Sequence, residues 1–162
     1  MKYILEAKHW QLFSILVLPS VIIPNITPLI DTLIGATIFA IYLSWLWSIG
    51  VVLNERYDFT FNNSSFKISL LFFTTYLMGG SIVFPIFKET IEKSLWIVFV
   101  PHLIAMASLM YAILFCARGL KIIERRTIAN TSECWDYFFL LFCFPIGVWF
   151  LQPKINRMFA ND

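Results

Sequence analysis

Of the side chains able to do chemistry near neutral pH, the one most out of place is His102, set inside the apolar run "VPHLIAMASLMYAILFC". An imidazole changes charge between about pH 5 and 8, and an ionisable group within a membrane span is a functional candidate by default. Proton transfer, ligand contact and metal binding are the roles open to it. The structural alternative is a buried neutral ring, hydrogen-bonded to a carbonyl that Pro101 frees. At about 100° per residue His102 shares a face with Ala105, Ala112 and Cys116, which predicts a side chain turned into a helix bundle. Two carboxylates complete the binding candidates. Asp31 stands before an apolar run, where capping of the helix start is the first reading, and Asp136 follows Trp135 at the mouth of the last run. They could meet only if the first loop and the last segment lay at one membrane face.

No larger catalytic pattern surrounds these groups. The sequence has no H-E-x-x-H, no G-x-S-x-G and no Walker glycine loop. Its three cysteines, Cys116, Cys134 and Cys143, include no C-x-x-C pair, so reduced thiols are expected rather than disulfides or a zinc site. Whether the chain is an enzyme is left open, with the residues leaning against it; no catalytic residue, metal ligand or cofactor is assigned. A lipid-modifying enzyme using His102 with Asp136 or Cys116 ranks third among the functional readings.

The environment of these residues follows from composition. Hydrophobic residues make up 59% of the 162-residue chain and charged residues only 14%, too few charges to cover a soluble domain of this size. An all-α integral membrane protein is predicted, a single transmembrane helical domain over 1–162. Four apolar runs, about 10–28, 32–53, 68–87 and 95–117, are each about long enough to cross roughly 30 Å of hydrocarbon. A fifth membrane-inserted segment covers about 135–151. Pro19, Pro24 and Pro28 should kink or end the first span, and Ser64 or Ser65 and Ser94 can cap the third and fourth. Trp10, Trp96, Trp135 and Trp149 fall near run ends, where amphipathic rings prefer the headgroup level. The first run is read as a retained helix and not a signal peptide, since Glu6 and Trp10 interrupt the pattern and no A-x-A site follows.

Charge sets the orientation. With the amino terminus inside, a spanning last segment leaves Lys88, Lys93, Lys154 and Arg157 outside, about four of the twelve basic residues. If residues 135–151 dip in and return, Lys88 and Lys93 alone remain outside. Pro145 and Gly147 interrupt that run near its middle, where a turn could reverse it. Four spans plus a C-terminal membrane-dipping segment are therefore expected, with five spans as the alternative. Net charge is only +2, too small to imply nucleic acid, and no nucleic-acid partner is expected.

Two further patterns point to contacts. Ala36, Ala40, Ser44 and Ser48 recur every four residues and form a ridge suited to close helix packing, within the chain or against another. Gly79-Gly80 would likewise allow close approach or a bend. Arg118, Lys121, Arg125 and Arg126 follow the fourth run; if the helix continues, the first three form a basic stripe for anionic lipid headgroups, the alternative being a topology anchor. His9, between Lys8 and Trp10, reads as an interfacial residue.

The segments "EAKHWQLF", "SWLWSIG" and "DYFFLLFCFPIGVWFLQPKIN" resemble a group of small, uncharacterised bacterial multi-span membrane proteins. That resemblance implies the bacterial cytoplasmic (inner) membrane and brings no activity or ligand with it. The expected function is a non-enzymatic membrane component, a homo-oligomer or a subunit of a membrane complex, with a small channel or transporter as the second reading. The expected partners are membrane lipids and either further copies of the chain or another membrane protein.

Overall fold

The computed structural model describes residues 2–22, 28–56, 63–86, 96–127 and 129–160. The described residues hold seven α-helices and no strand: α1 (Lys2–Glu6), α2 (His9–Ile22), α3 (Pro28–Arg56), α4 (Asn63–Ile86), α5 (Trp96–Arg125), α6 (Trp135–Phe142) and α7 (Phe144–Ala160). A 3-10 turn, Thr131–Glu133, leads into α6. Two helical stretches, Ile34–Val52 of α3 and Trp96–Arg125, are long and apolar enough to cross a membrane.

Helix starts differ from the expected ones for local reasons. Helix α3 begins at Pro28, whose missing N–H is harmless in a first turn, so Asp31 lies inside that turn and not ahead of it. Helix α4 already includes Ser64 and Ser65. Pro19 and Pro101 are both carried within helices, neither of which ends there. Helix α5 runs on past Ala117 to Arg125, so the basic residues 118–125 are helical. Ser94, Pro24 and the connection 88–94 lie outside the described residues.

The core does not run the length of the bundle. Its residues include Leu12 and Leu16 of α2, Trp45, Leu46 and Ile49 of α3, and Phe66, Leu70 and Phe73 of α4. On α5 burial begins at Ala105 and continues to Lys121; residues 96–104 are all exposed or half-buried. One half of the bundle is thus tightly packed, and in the other the helices turn most of their side chains outward. A Cβ on Gly50 would collide with the edge of the Phe66 ring, which in turn stacks on Phe115 at 4.7 Å between centroids, so α3, α4 and α5 close on one another through a glycine.

The last run folds as a hairpin. Helix α6 stops at Phe142, the chain turns at Cys143, and α7 packs back along α6. Pro145 is the second residue of α7, where a missing N–H costs nothing, and the Ile146 and Gly147 N–H groups donate to the Cys143 carbonyl at 3.0 and 2.9 Å. Gly147 is needed for contact: a Cβ there would collide with the Leu140 carbonyl. The reversal therefore falls two residues before Pro145, and Gly147 brings the two arms together.

Candidate functional site

A cluster of charged side chains meets at the base of this hairpin. Lys121 of α5, 8% exposed, donates to the Asp136 carboxylate at 2.6 Å and lies 3.6 Å from Glu124. Lys154 of α7 donates to Glu124 at 3.1 Å and to Tyr137 Oη at 3.3 Å. Both ammonium groups sit over the Tyr137 ring, 5.2 and 5.1 Å from its centroid. Beside them Arg125 pairs with Glu133 at 2.9 Å. The Asn130 N–H and the Arg125 guanidinium hold the Glu133 carboxyl below the usual range. Burial pushes the Glu124 carboxyl up, but hydrogen bonds from Lys154 and Tyr137 and the charge of Lys154 outweigh it and hold it low.

A second polar centre lies deeper, at Gln152, which has no exposed surface. Its Oε1 accepts from Trp45 Nε1 at 3.0 Å. Its Nε2 faces the carbonyls of Leu5, Ala7 and Ile4 at 2.8, 3.0 and 3.3 Å and Asn156 Oδ1 at 3.1 Å. Asn156 Nδ2 adds a bond to Ala7 at 3.2 Å. Since α1 ends at Glu6, the carbonyls of Ile4 and Leu5 have no partner within that helix, and the Gln152 amide satisfies them. Tyr42 does the same at the hairpin tip, its hydroxyl donating to the Leu141 carbonyl at 3.0 Å.

The binding candidates are not brought together. Asp136 is tied to Lys121, while Asp31 is exposed in the first turn of α3, about 21 Å along that helix from Trp45. His102 is exposed, not buried, although Ala105, Ala112 and Cys116 on its face are all buried. The expected turn into the bundle is not met, because the packed part of α5 begins only at Ala105, one turn further along the helix. His102 Nδ1 meets Tyr76 Oη of α4 at 3.2 Å, with the rings 5.9 Å apart. His9 is half-buried against Trp149, 4.7 Å between centroids.

The small-residue ridge divides: Ser48 is buried, while Ala36, Ala40 and Ser44 are exposed and pack no core. Ser44 and Ser48 donate to the carbonyls of Ala40 and Ser44, each at 2.8 Å. Of the basic stripe, Lys121 and Arg125 are engaged by carboxylates of this chain and so turn away from a purely lipid-facing role; Arg126, past the helix end with φ 56°, is exposed, and Arg118 is half-buried. An apolar cavity of about 550 Å³ lies between α2 and α3, lined by Ser14, Ile15 and Pro19 on one side and Ile34, Thr37 and Ile38 on the other. It holds no titratable group.

The described residues contain no cluster of three or more metal-ligating side chains, and the three cysteines are free. The sequence reading missed Gln152, Asn156, Glu124 and Tyr137. An amide inside "PIGVWFLQPKIN" was the available signal, because a polar group in an apolar run needs a partner. Comparison with protein-family models, with curated proteins and with solved structures finds no match to this chain.

Proposed function

We propose that the chain is a non-enzymatic, multi-pass membrane protein that works as an assembling component. In this reading four helical segments cross the bilayer, and the C-terminal hairpin enters and leaves by one face. The carrying observation is the contact of Lys154 with Glu124: one residue follows the hairpin and the other precedes it. Between them Phe139, Phe142, Ile146 and Phe150 turn exposed apolar side chains outward, as a hairpin immersed in lipid requires. Exposed Trp10, Trp96, Trp135 and Trp149 suit headgroup levels, and both termini then lie with the basic residues on the inner side. Assembly is favoured over catalysis because Lys121, Asp136, Glu124, Lys154 and Gln152 bond one another or the backbone, which makes them fasteners of the bundle. The bacterial inner membrane is the location that the sequence resemblance supports.

Accessibility labelling tests the topology. Single cysteines replacing Thr90 and Ala160, in a cysteine-free background, are treated in intact cells with a membrane-impermeant maleimide. Position 90 should react from outside and position 160 only after permeabilisation. Reaction of both from outside would establish five spans, and extraction of the protein by alkaline carbonate would end the membrane reading.

A further inference from the structure

We infer that the outer face of α4 and α5 is a homodimer interface, closed by a reciprocal hydrogen-bonded ring of Tyr76 and His102 from two copies of the chain. The inference rests on the membrane reading above and adds the surface and the partner.

The first step is donor accounting. A neutral imidazole has one N–H and one bare nitrogen, and a phenol has one O–H and oxygen lone pairs. The 3.2 Å contact between Tyr76 Oη and His102 Nδ1 uses one donor and one acceptor. If Tyr76 donates, the His102 Nε2–H is left over; if His102 donates, the Tyr76 O–H is left over. Either tautomer leaves one donor, and among the described residues no acceptor takes it. His102 lies about 9 Å along α5 from Trp96, within the proposed hydrocarbon layer, where no water stands in for a missing acceptor. Its neighbours on the same surface, Phe99 and Leu103, are about half exposed and offer no oxygen.

The second step is self-complementarity. When Tyr76 donates to its own His102, the pair presents both a free Nε2–H and a free phenolic lone pair. A two-fold axis along the membrane normal brings a second pair to the same depth automatically. Each Nε2–H can then donate to the partner's Tyr76 oxygen, and every donor in the ring has an acceptor. A lipid does not close the ring this way, because its ester oxygens belong to the headgroup level, outside the depth of His102.

The third step is room. Gly79 lies three residues after Tyr76 on the α4 surface, and a Cβ there would meet none of the described residues within 4 Å. A glycine whose Cβ position is open leaves a groove in which another helix backbone can lie close. Gly79 thus adds the close approach that a hydrogen-bonded ring across two chains demands.

The experiment uses the purified full chain, singly labelled and reconstituted into phosphatidylethanolamine and phosphatidylglycerol vesicles over a range of protein densities, with photobleaching steps counted per spot. Vesicle flotation after a carbonate wash comes first; failure to float there overturns the membrane reading itself, independently of the dimer. Two-step bleaching should dominate for the wild type. Tyr76→Phe, which removes the accepting oxygen, should weaken dimerisation at least tenfold, and Gly79→Leu, which puts a branched side chain into the groove, should abolish it. Ala40→Leu on the α3 ridge should leave it unchanged. Floating protein that stays monomeric at every density overturns the inference, as does a dimer indifferent to both α4 variants. Loss of the dimer in Ala40→Leu alone would move the interface to α3, and a monomer carrying bound lipid by native mass spectrometry would give the face to lipid.

Discussion

Lys154 Nζ lies 3.1 Å from the Glu124 carboxylate, and so the residue that leaves the hairpin returns to the helix turn from which the chain set out. Thirty residues of mostly apolar sequence are closed into a loop by that one contact, with Lys121 and Asp136 fastening the other arm. The hairpin is accordingly held by charge at its base and by backbone packing at its middle.

Acid should loosen the base. Both Glu124 and Glu133 have folded-state values below their ordinary 4.5, so the stability they contribute is complete above about pH 4.5 and is lost as pH falls through the lower folded values. At the alkaline end, burial pulls Lys154 down but its bonds to Glu124 and Tyr137 raise it above the ordinary 10.5, and its contribution is lost only as pH rises past that. Thermal unfolding in detergent should be flat from neutral pH down to about 5 and decline below about 4.5. The acid decline should shrink in a Glu124→Gln, Glu133→Gln double variant. An unchanged decline there would assign it to other groups.

The packing at the middle makes a sharper prediction. Gly147→Ala drives a Cβ into the Leu140 carbonyl, which is backbone and cannot rotate away, so α7 must separate from α6. Overpacking of this kind costs about 1–3 kcal/mol or more. Gly35→Ala is the control: none of the described residues lies within 4 Å of its Cβ position, and the better helix former should be neutral or stabilising by up to about 1 kcal/mol. Melting temperatures of the two variants should move apart, and a shared shift would show that the arms are not in close contact.

Removing Asp136 tests the buried end of the ion-pair cluster. Asp136→Ala leaves Lys121, 8% exposed, with only the more distant Glu124 as its counter-charge, whereas Lys154→Met removes a half-exposed cation from a carboxylate that Lys121 still faces. Because a stranded buried charge costs more than a lost surface pair, Asp136→Ala should destabilise by about 1–3 kcal/mol and Lys154→Met by less than about 1. Denaturation in mixed micelles would rank them, and equal losses would mean that Lys121 finds water.

The helices were legible because apolar runs of this length have few other uses, and the reversal of the last run was legible in Pro145 and Gly147. Its position was not: the chain turns at Cys143, and Gly147 acts through Leu140, a contact that only packing creates. His102 shows the limit of periodicity, which gives the direction of a side chain and not whether anything stands opposite it. The ion pair of Lys121 and Asp136 joins the residues once read as a lipid stripe to one read as a ligand site, because each was judged without its partner. Bonds between residues 107 to 148 positions apart, such as those of Gln152, leave no local pattern at all.

Gln152 is the last and strictest test of the packed half. Its amide is fully buried, and both of its ends are engaged: Trp45 donates to the oxygen, and the carbonyls of Leu5 and Ala7 accept from the nitrogen. Gln152→Leu keeps the bulk but leaves the indole N–H and the α1 carbonyls unsatisfied, at about 1–3 kcal/mol for each buried group, so a loss of about 2–5 kcal/mol is expected. Gln152→Glu should be no better, since the carboxylate still accepts from Trp45 but faces carbonyl oxygens with negative charge and lacks the donor. Asn156→Ala removes one bond to Ala7 and one from Gln152 and should cost less than either. Melting in detergent should therefore rank wild type first, then Asn156→Ala, with both Gln152 variants lowest, and limited proteolysis should release the segment before α2 earliest in the Gln152 variants. If Gln152→Leu melts with the wild type, the amide is not what fastens α1 to the bundle, and Leu5 burial alone must hold it.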